Sequence, residues 1–173
     1  MSDFNIPHLT EQMLACRSLV ITAKSTSESV DKFVQWMLTG FAAGLTYLLG
    51  QHIPLDKIKL PILVFLAALG VAIVQKYLAM IVTTGTKAFL EAEKYKNENT
   101  NFDIARFFII YIDSLPMSVG WAAAWSASRF MQGNLTASGK GLLRLAMWQS
   151  WLAFICIGLL LYCLYLTAKS VTP

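Results

Sequence analysis

Few side chains in this sequence have both the type and the spacing that catalysis requires. The two histidines, His8 and His52, lie far apart and have no cysteine or carboxylate pair beside them. The chain contains no HExxH zinc motif, no Walker loop and no GxGxxG loop, so neither zinc hydrolysis nor nucleotide chemistry is indicated. No His-based proton relay is evident either. We therefore expect a protein that is not an enzyme, with no catalytic residues, no metal ligands and no cofactor.

The three cysteines do not form a disulfide or zinc framework. Their number is odd and they form no CxxC pattern, which argues against both kinds of site. Cys156 and Cys163 are seven residues apart and therefore lie on one face of the last apolar segment. We predict that they are small packing residues.

Asp113 is the one carboxylate inside an apolar segment, directly after the uncharged run 107–112. An ionisable group within a membrane segment is costly unless it is paired or hydrated, so it is a candidate functional residue. Arg106, seven residues earlier and on the same helical face, is its natural partner, and Lys76 is the alternative from another segment. The other interpretation of Asp113 is a structural ion pair close to the lipid headgroups.

Small residues at helical spacing predict places where helices approach closely. Gly40 and Gly44 form a GxxxG motif in the first apolar run, and Gly120 and Ala124 belong to a second series with small residues at every fourth position. Small side chains let helix backbones come together in membranes. We predict helix packing at both places, either within one chain or between the subunits of an oligomer.

Two arginines, Arg129 and Arg144, lie beside apolar or aromatic residues. Trp121, Trp125 and Arg129 recur every four residues, and a guanidinium over Trp125 would form a cation–π pair. This aromatic stripe predicts a subunit interface or a constriction, against the simpler alternative of packing within one chain. Arg144 is placed at the start of the last helix, where the helix dipole disfavours a cation, so we predict contact with a lipid phosphate.

The elements that must position these residues are apolar helices. Of the 173 residues, 56% are hydrophobic and 14% are charged, whereas a soluble domain has roughly 45–50% and about 25%. The net charge of +4 comes without a Lys/Arg-rich block, and basic residues that flank apolar runs set orientation in a membrane. The predicted fold class is all-α: a polytopic transmembrane helical bundle in the lipid bilayer, with no nucleic acid partner.

The N-terminal segment reads as an amphipathic helix over residues 8–24. Its apolar positions recur every three or four residues, and we favour packing of this face on the protein itself over packing on the membrane surface. Ser25 and Glu28 match a capping box, which predicts the start of a second helix there. Asp31 then lies in the first turn, where a carboxylate suits the helix dipole.

Charge and apolarity divide the chain into four segments. The predicted order is a cytoplasmic N-terminal amphipathic helix at 1–32, a first transmembrane hairpin at 33–82, a cytoplasmic helical linker at 83–101 and a second transmembrane hairpin at 102–173. In the first hairpin, Pro61 suits the first turn of the second span. The polar residues 132–141 are predicted to form a loop.

The segment 102–131 allows two interpretations, because Pro116 breaks its apolar pattern. It is either one kinked span or a re-entrant pair of short helices. With four spans, nine basic residues face the cytoplasm and five face the other side; if this segment does not cross, the division of the 14 is eleven to three. The charge rule therefore favours three spans, whereas apolarity favours four. We predict about four spans with a cytoplasmic N-terminus.

Together these features predict a small multi-pass protein of the bacterial inner (plasma) membrane that assembles as a homo-oligomer. The first function that we expect is that of a channel-like or pore-forming membrane effector. The alternative is a membrane-anchoring subunit that recruits a soluble cytoplasmic partner, for example in a defence or signalling complex. A small transporter is the third.

Overall fold

The computed structural model describes residues 6–50, 55–98, 104–114, Gly120 and 136–171. Four helices account for nearly all of these residues, and this confirms the all-α fold class. The helices are α1 (Ile6–Leu49), α2 (Leu55–Glu98), α3 (Ile104–Asp113) and α4 (Ala137–Val171).

Two of the helices are long and apolar enough to cross a membrane. The qualifying segments are Ile58–Tyr95 of α2 and Gly139–Lys169 of α4. The charge-free run 33–50 of α1 is not among the segments found in the described part of the chain, and most of 102–131 lies outside it. The arrangement of about four spans therefore stays a prediction.

The predicted break between 25 and 28 is wrong, because α1 continues through it as one helix of 44 residues. The side chain of Ser27 is fully buried and lies on the same face of α1 as the buried Ala23 and Val34. Tertiary packing of a continuous buried face supplies most of the stability of a helix in a protein. Here this packing outweighs the local preference of Ser25 for a cap.

The observed start of α2 differs from the predicted start of the second span. The helix begins at Leu55, so Pro61 lies inside it rather than in its first turn. A proline in a helix interior removes one backbone hydrogen bond, and the surrounding packing tolerates that loss. At the other end the helix runs on through the polar residues after Lys87, within the linker that was predicted to be helical, and stops at Glu98.

The chain forms two compact units, each built from parts of several helices. The first unit comprises Met1–Thr26 and Met80–Ala146. Its core joins α1, α2 and α4 through Cys16, Val20, Ala23, Val82, Leu142 and Ala146. These contacts confirm that the apolar face of the N-terminal segment packs on the protein itself.

The second unit comprises Ser27–Ala79 and Met147–Pro173. Its larger core cluster contains Val34, Ala68, Ala72, Ala153, Cys156 and Leu160. A smaller cluster contains Leu45, Val64 and Cys163. Residue numbers rise along α1 as they fall along α2 in these contacts, so the two helices are antiparallel within the unit, as the predicted hairpin requires.

The buried face of α4 repeats with the spacing of a coiled coil. Its buried positions alternate steps of three and four residues, from Gly139 through Leu142, Ala146, Gln149, Ala153, Cys156, Leu160 and Cys163 to Thr167. Such a period of 3.5 residues is typical of left-handed helix packing. Most of these side chains are small, which lets neighbouring helices pack closely.

Candidate functional site

Polar side chains gather in the interior of the second unit. We name Ser27, Asp31, Gln75, Lys76 and Gln149 the internal polar cluster. Three of them, Ser27, Gln75 and Gln149, are fully buried, on helix faces that otherwise carry small or apolar residues. The packing that buries the apolar residues of these faces therefore also buries the three polar side chains.

One contact of the cluster joins α4 to α1. The side-chain amide of Gln149 donates from Nε2 to the backbone carbonyl of Ser27 over 3.0 Å. A carbonyl oxygen can only accept, so this contact fixes which end of the amide is the nitrogen. The other end, Oε1, is an acceptor inside the unit.

A second contact joins α2 to α1 through an ion pair. Lys76 Nζ lies 2.5 Å from Asp31 Oδ2, and the side chains are 55% and 18% exposed respectively. Gln35 also donates to Asp31 Oδ2, over 3.5 Å. The exposure of Lys76 places this end of the cluster at the surface of the unit, where solvent screening limits what the pair adds to stability.

The cluster also holds buried polar atoms without partners. Ser27 Oγ, Asp31 Oδ1, Gln75 Nε2 and Gln149 Oε1 have no hydrogen-bond partner among the described residues. Nearly all buried polar groups in proteins are paired, and each unpaired one costs about 1–3 kcal/mol. Every atom of this kind that the structure identifies belongs to the internal polar cluster, which makes the cluster the candidate functional site.

Of the ionisable residues predicted within the membrane, Lys76 belongs to this site. Its partner is Asp31, which the sequence analysis connected only with a helix dipole. Arg106 and Asp113 are both exposed on α3, and Asp113 is the last residue of that helix. The functional role of Asp113 stays a prediction.

The predicted packing glycines of α1 face open space. A Cβ atom added at Gly40 or Gly44 would meet nothing within 4 Å, so neither glycine is needed for close packing inside the second unit. Packing between subunits is the interpretation that remains to be tested. Gly120 is half-buried, while the other predicted residues of that region lie outside the described residues: Ala124, Trp121, Trp125 and Arg129.

The prediction for Arg144 changes in one respect. Residues 137–141, expected to form a loop, belong to α4, so Arg144 lies two turns inside the helix and not at its start. The argument from the helix dipole therefore does not apply, because the dipole effect falls off within the first turn. Arg144 is exposed, and its contact with lipid stays a prediction.

The cysteines are free thiols that pack in the interior, as predicted. Cys156 Sγ donates to the carbonyl of Ala68 over 3.6 Å, and Cys163 Sγ donates to that of Pro61 over 3.3 Å. In the first unit, burial raises the pKa of the Cys16 thiol, the negative charge of Glu93 raises it further, and a hydrogen bond with the backbone of Gly139 opposes both. A thiol of raised pKa is a poor nucleophile at neutral pH.

Sequence reasoning missed most of the internal polar cluster. Ser27 was assigned to a helix break, and Gln75 and Gln149 were not singled out. The signal that could have found Gln149 is the heptad spacing of α4, since Gln149 lies seven residues before Cys156 and seven after Leu142. A glutamine in such a series is predicted to face the interior.

The described residues contain no group of three or more histidine, cysteine or carboxylate side chains that could hold a metal ion. No protein-family model, curated protein or solved structure matches this chain. What the site can do must therefore be argued from its own geometry.

Proposed function

We propose that this protein is a multi-pass α-helical protein of the bacterial inner membrane and that it forms a homo-oligomeric, channel-like assembly. The observation that carries the proposal is the distribution of side chains on α4. Its outward face exposes large apolar and aromatic residues, whereas its inward face carries glutamine, cysteine and threonine. Soluble proteins place polar groups outside; a helix in lipid has no reason to do so.

The exposure of the two apolar segments supports a membrane location. Only 33% of the most apolar stretch of α2 and 28% of that of α4 is buried inside the protein. The core helix of a soluble protein would be mostly buried. The exposed residues of these helices include many large apolar side chains. Monomeric soluble proteins rarely expose contiguous apolar patches, and lipid is the partner that we propose for this surface.

Aromatic residues on α4 support the same placement. Trp148 and Trp151 are exposed near one end of the charge-free run 145–167, and Tyr162 and Tyr165 near the other. Trp148 and Tyr165 are 17 residues apart in the sequence, which corresponds to about 26 Å along a helix. This length is close to a hydrocarbon core of about 30 Å, and such residues prefer the two interfaces of a bilayer.

Two features favour a channel-like assembly over an anchor. The internal polar cluster gives the interior of the second unit polar groups that simple anchoring does not require. Gly40 and Gly44 leave an open face on α1 where a second copy of the chain can approach closely.

We expect purified protein reconstituted into liposomes to release a trapped small ion faster than protein-free liposomes do. If the ion passes through an oligomer, the rate of release should rise more than in proportion to the protein-to-lipid ratio. Unchanged release, together with co-purification of a soluble protein from cells, would instead favour the membrane-anchoring subunit.

We expect Gly40→Ile and Gly44→Ile to weaken self-association, because a branched side chain on the open face holds helix backbones apart. The matched control is Gly70→Ile, since Gly70 on α2 also has nothing within 4 Å but has no glycine four residues away. Particle mass in detergent and cross-linking in membranes measure the effect. Equal behaviour of all three variants would contradict an oligomer interface at this motif.

A further inference from the structure

The internal polar cluster contains a set of unpartnered atoms that is complementary to one kind of guest. Asp31 Oδ1 and Gln149 Oε1 are acceptors, Gln75 Nε2 is a donor, and Ser27 Oγ can be either. Ser27, Gln75 and Gln149 are each at least 99% buried, so bulk solvent does not reach them. Within the described chain, no other side chain completes their hydrogen bonds.

Contacts and shared helix faces bring these residues into one region of the second unit. Gln149 is bonded to the backbone of Ser27. Asp31 lies four residues after Ser27 on the same helix, which puts both on one face. Asp31 is paired with Lys76. Gln75 lies three residues after Ala72 on the buried face of α2. Ala72 belongs to the same core cluster as Val34, which lies three residues after Asp31 on α1. All three long helices of the second unit thus contribute to the same interior region.

The charges and dipoles of the region select against ions. A cation would meet the donor Gln75 Nε2 and the nearby ammonium group of Lys76. An anion would meet the carboxylate of Asp31 and the acceptor Gln149 Oε1. The Asp31 and Lys76 charges already balance each other, so the guest that fits is neutral and has both donors and acceptors.

We propose that Ser27, Asp31, Gln75 and Gln149 form an internal binding site for ordered water. Water is both a donor, as Asp31 Oδ1 and Gln149 Oε1 require, and an acceptor, as Gln75 Nε2 requires, and it can serve the Ser27 hydroxyl in either role. Internal waters in proteins make about three hydrogen bonds to otherwise unpaired groups. The cluster offers four such groups. Lys76, exposed at the edge of the cluster, marks the side from which water exchanges.

This inference does not rest on the proposed channel-like function, since it concerns only the interior of the second unit. A wet interior would be equally present in an anchoring subunit. Its test therefore uses structural readouts and no transport assay.

The direct test is nuclear Overhauser transfer between water and the side-chain amides of ¹⁵N-labelled glutamines in detergent micelles. The signals are assigned by their loss in Gln75→Met and Gln149→Met. We expect long-lived water contacts, with laboratory-frame and rotating-frame effects of opposite sign, at both amides. Gln35, which is exposed, is the control and should show only rapidly exchanging water. Absence of long-lived contacts at both buried amides would overturn the proposal.

The sign of the stability change in Gln75→Met gives an independent test. The side chains have similar lengths, and the structure shows Gln75 Nε2 without a protein partner. If the amide binds water, Gln75→Met removes a hydrogen-bond partner of that water. We then expect Tm to fall by about 4 °C or more. A rise in Tm, as expected when an unpaired donor is removed from a dry interior, would overturn the proposal.

A salt series separates water from a cation. Tm is compared at equal ionic strength in sodium chloride and in N-methylglucamine chloride. We expect the same Tm in both. A rise that needs sodium and disappears in Asp31→Asn would identify a small cation as the guest and overturn the assignment to water.

Discussion

Gly139→Leu is expected to lower the free energy of unfolding by about 3 kcal/mol, near the upper end of the range for an overpacked interior. A Cβ atom at Gly139 would lie 2.9 Å from Leu19 Cβ and 3.0 Å from the backbone oxygen of Cys16. Neither neighbour is the far end of a flexible side chain. Relief therefore requires α1 and α4 to move apart within the first unit, which disturbs the core around Cys16.

Gly158→Leu is the matched control for this substitution. Gly158 lies on the same helix, and a Cβ atom there would meet nothing within 4 Å. We expect it to change the free energy of unfolding by less than about 0.5 kcal/mol, as at other outward positions. Unfolding in mixed detergent micelles, followed by circular dichroism, measures both variants. Similar losses at the two glycines would contradict the close contact between α1 and α4.

The contact at Gly139 shows why the sequence predicts some elements well and others poorly. Glycine and serine around 137–141 are typical of a loop, yet these residues form the first turns of α4. The small side chains serve a close approach to Cys16 and Leu19, residues about 120 positions away in the chain. A pattern confined to a short window cannot reveal such a partner.

The features that depend on one helix alone were predictable. The seven-residue spacing of Cys156 and Cys163 predicts that both lie on one face of a helix, and the structure buries both. The pairing of α1 with α2 also followed from their short connection. Each of these inferences needs only helical periodicity or loop length.

The candidate site was not predictable in the same way, because three helices build it. Asp31, Gln75 and Gln149 are ordinary polar residues in their own windows of sequence. Contacts between helices bring them into one region: Asp31 pairs with Lys76 and Gln149 bonds to Ser27, while Gln75 follows from the packing of the buried face of α2 on α1. An isolated charge inside an apolar run is visible in one window of sequence and points to Asp113, which the structure places on the exposed end of α3.

Leu160→Ala should be as costly as the glycine substitution or more so, with an expected loss of about 2–5 kcal/mol. Leu160 is fully buried in the larger core cluster of the second unit, among Val34, Ala68 and Cys156. Its neighbours include several small side chains that cannot extend into the vacated volume. The cavity would therefore stay open, and the cost should lie in the upper half of the range.

Leu161→Ala is the matched control, because it makes the same substitution one position further along α4. Leu161 is 54% exposed, so truncation to alanine leaves no cavity, and in detergent we expect a loss below about 1 kcal/mol. The comparison tests the assignment of inward and outward faces on α4, on which both the membrane location and the internal polar cluster depend. Losses of equal size at Leu160 and Leu161 would contradict that assignment, because adjacent helical positions point about 100° apart and the structure buries only Leu160 of the two.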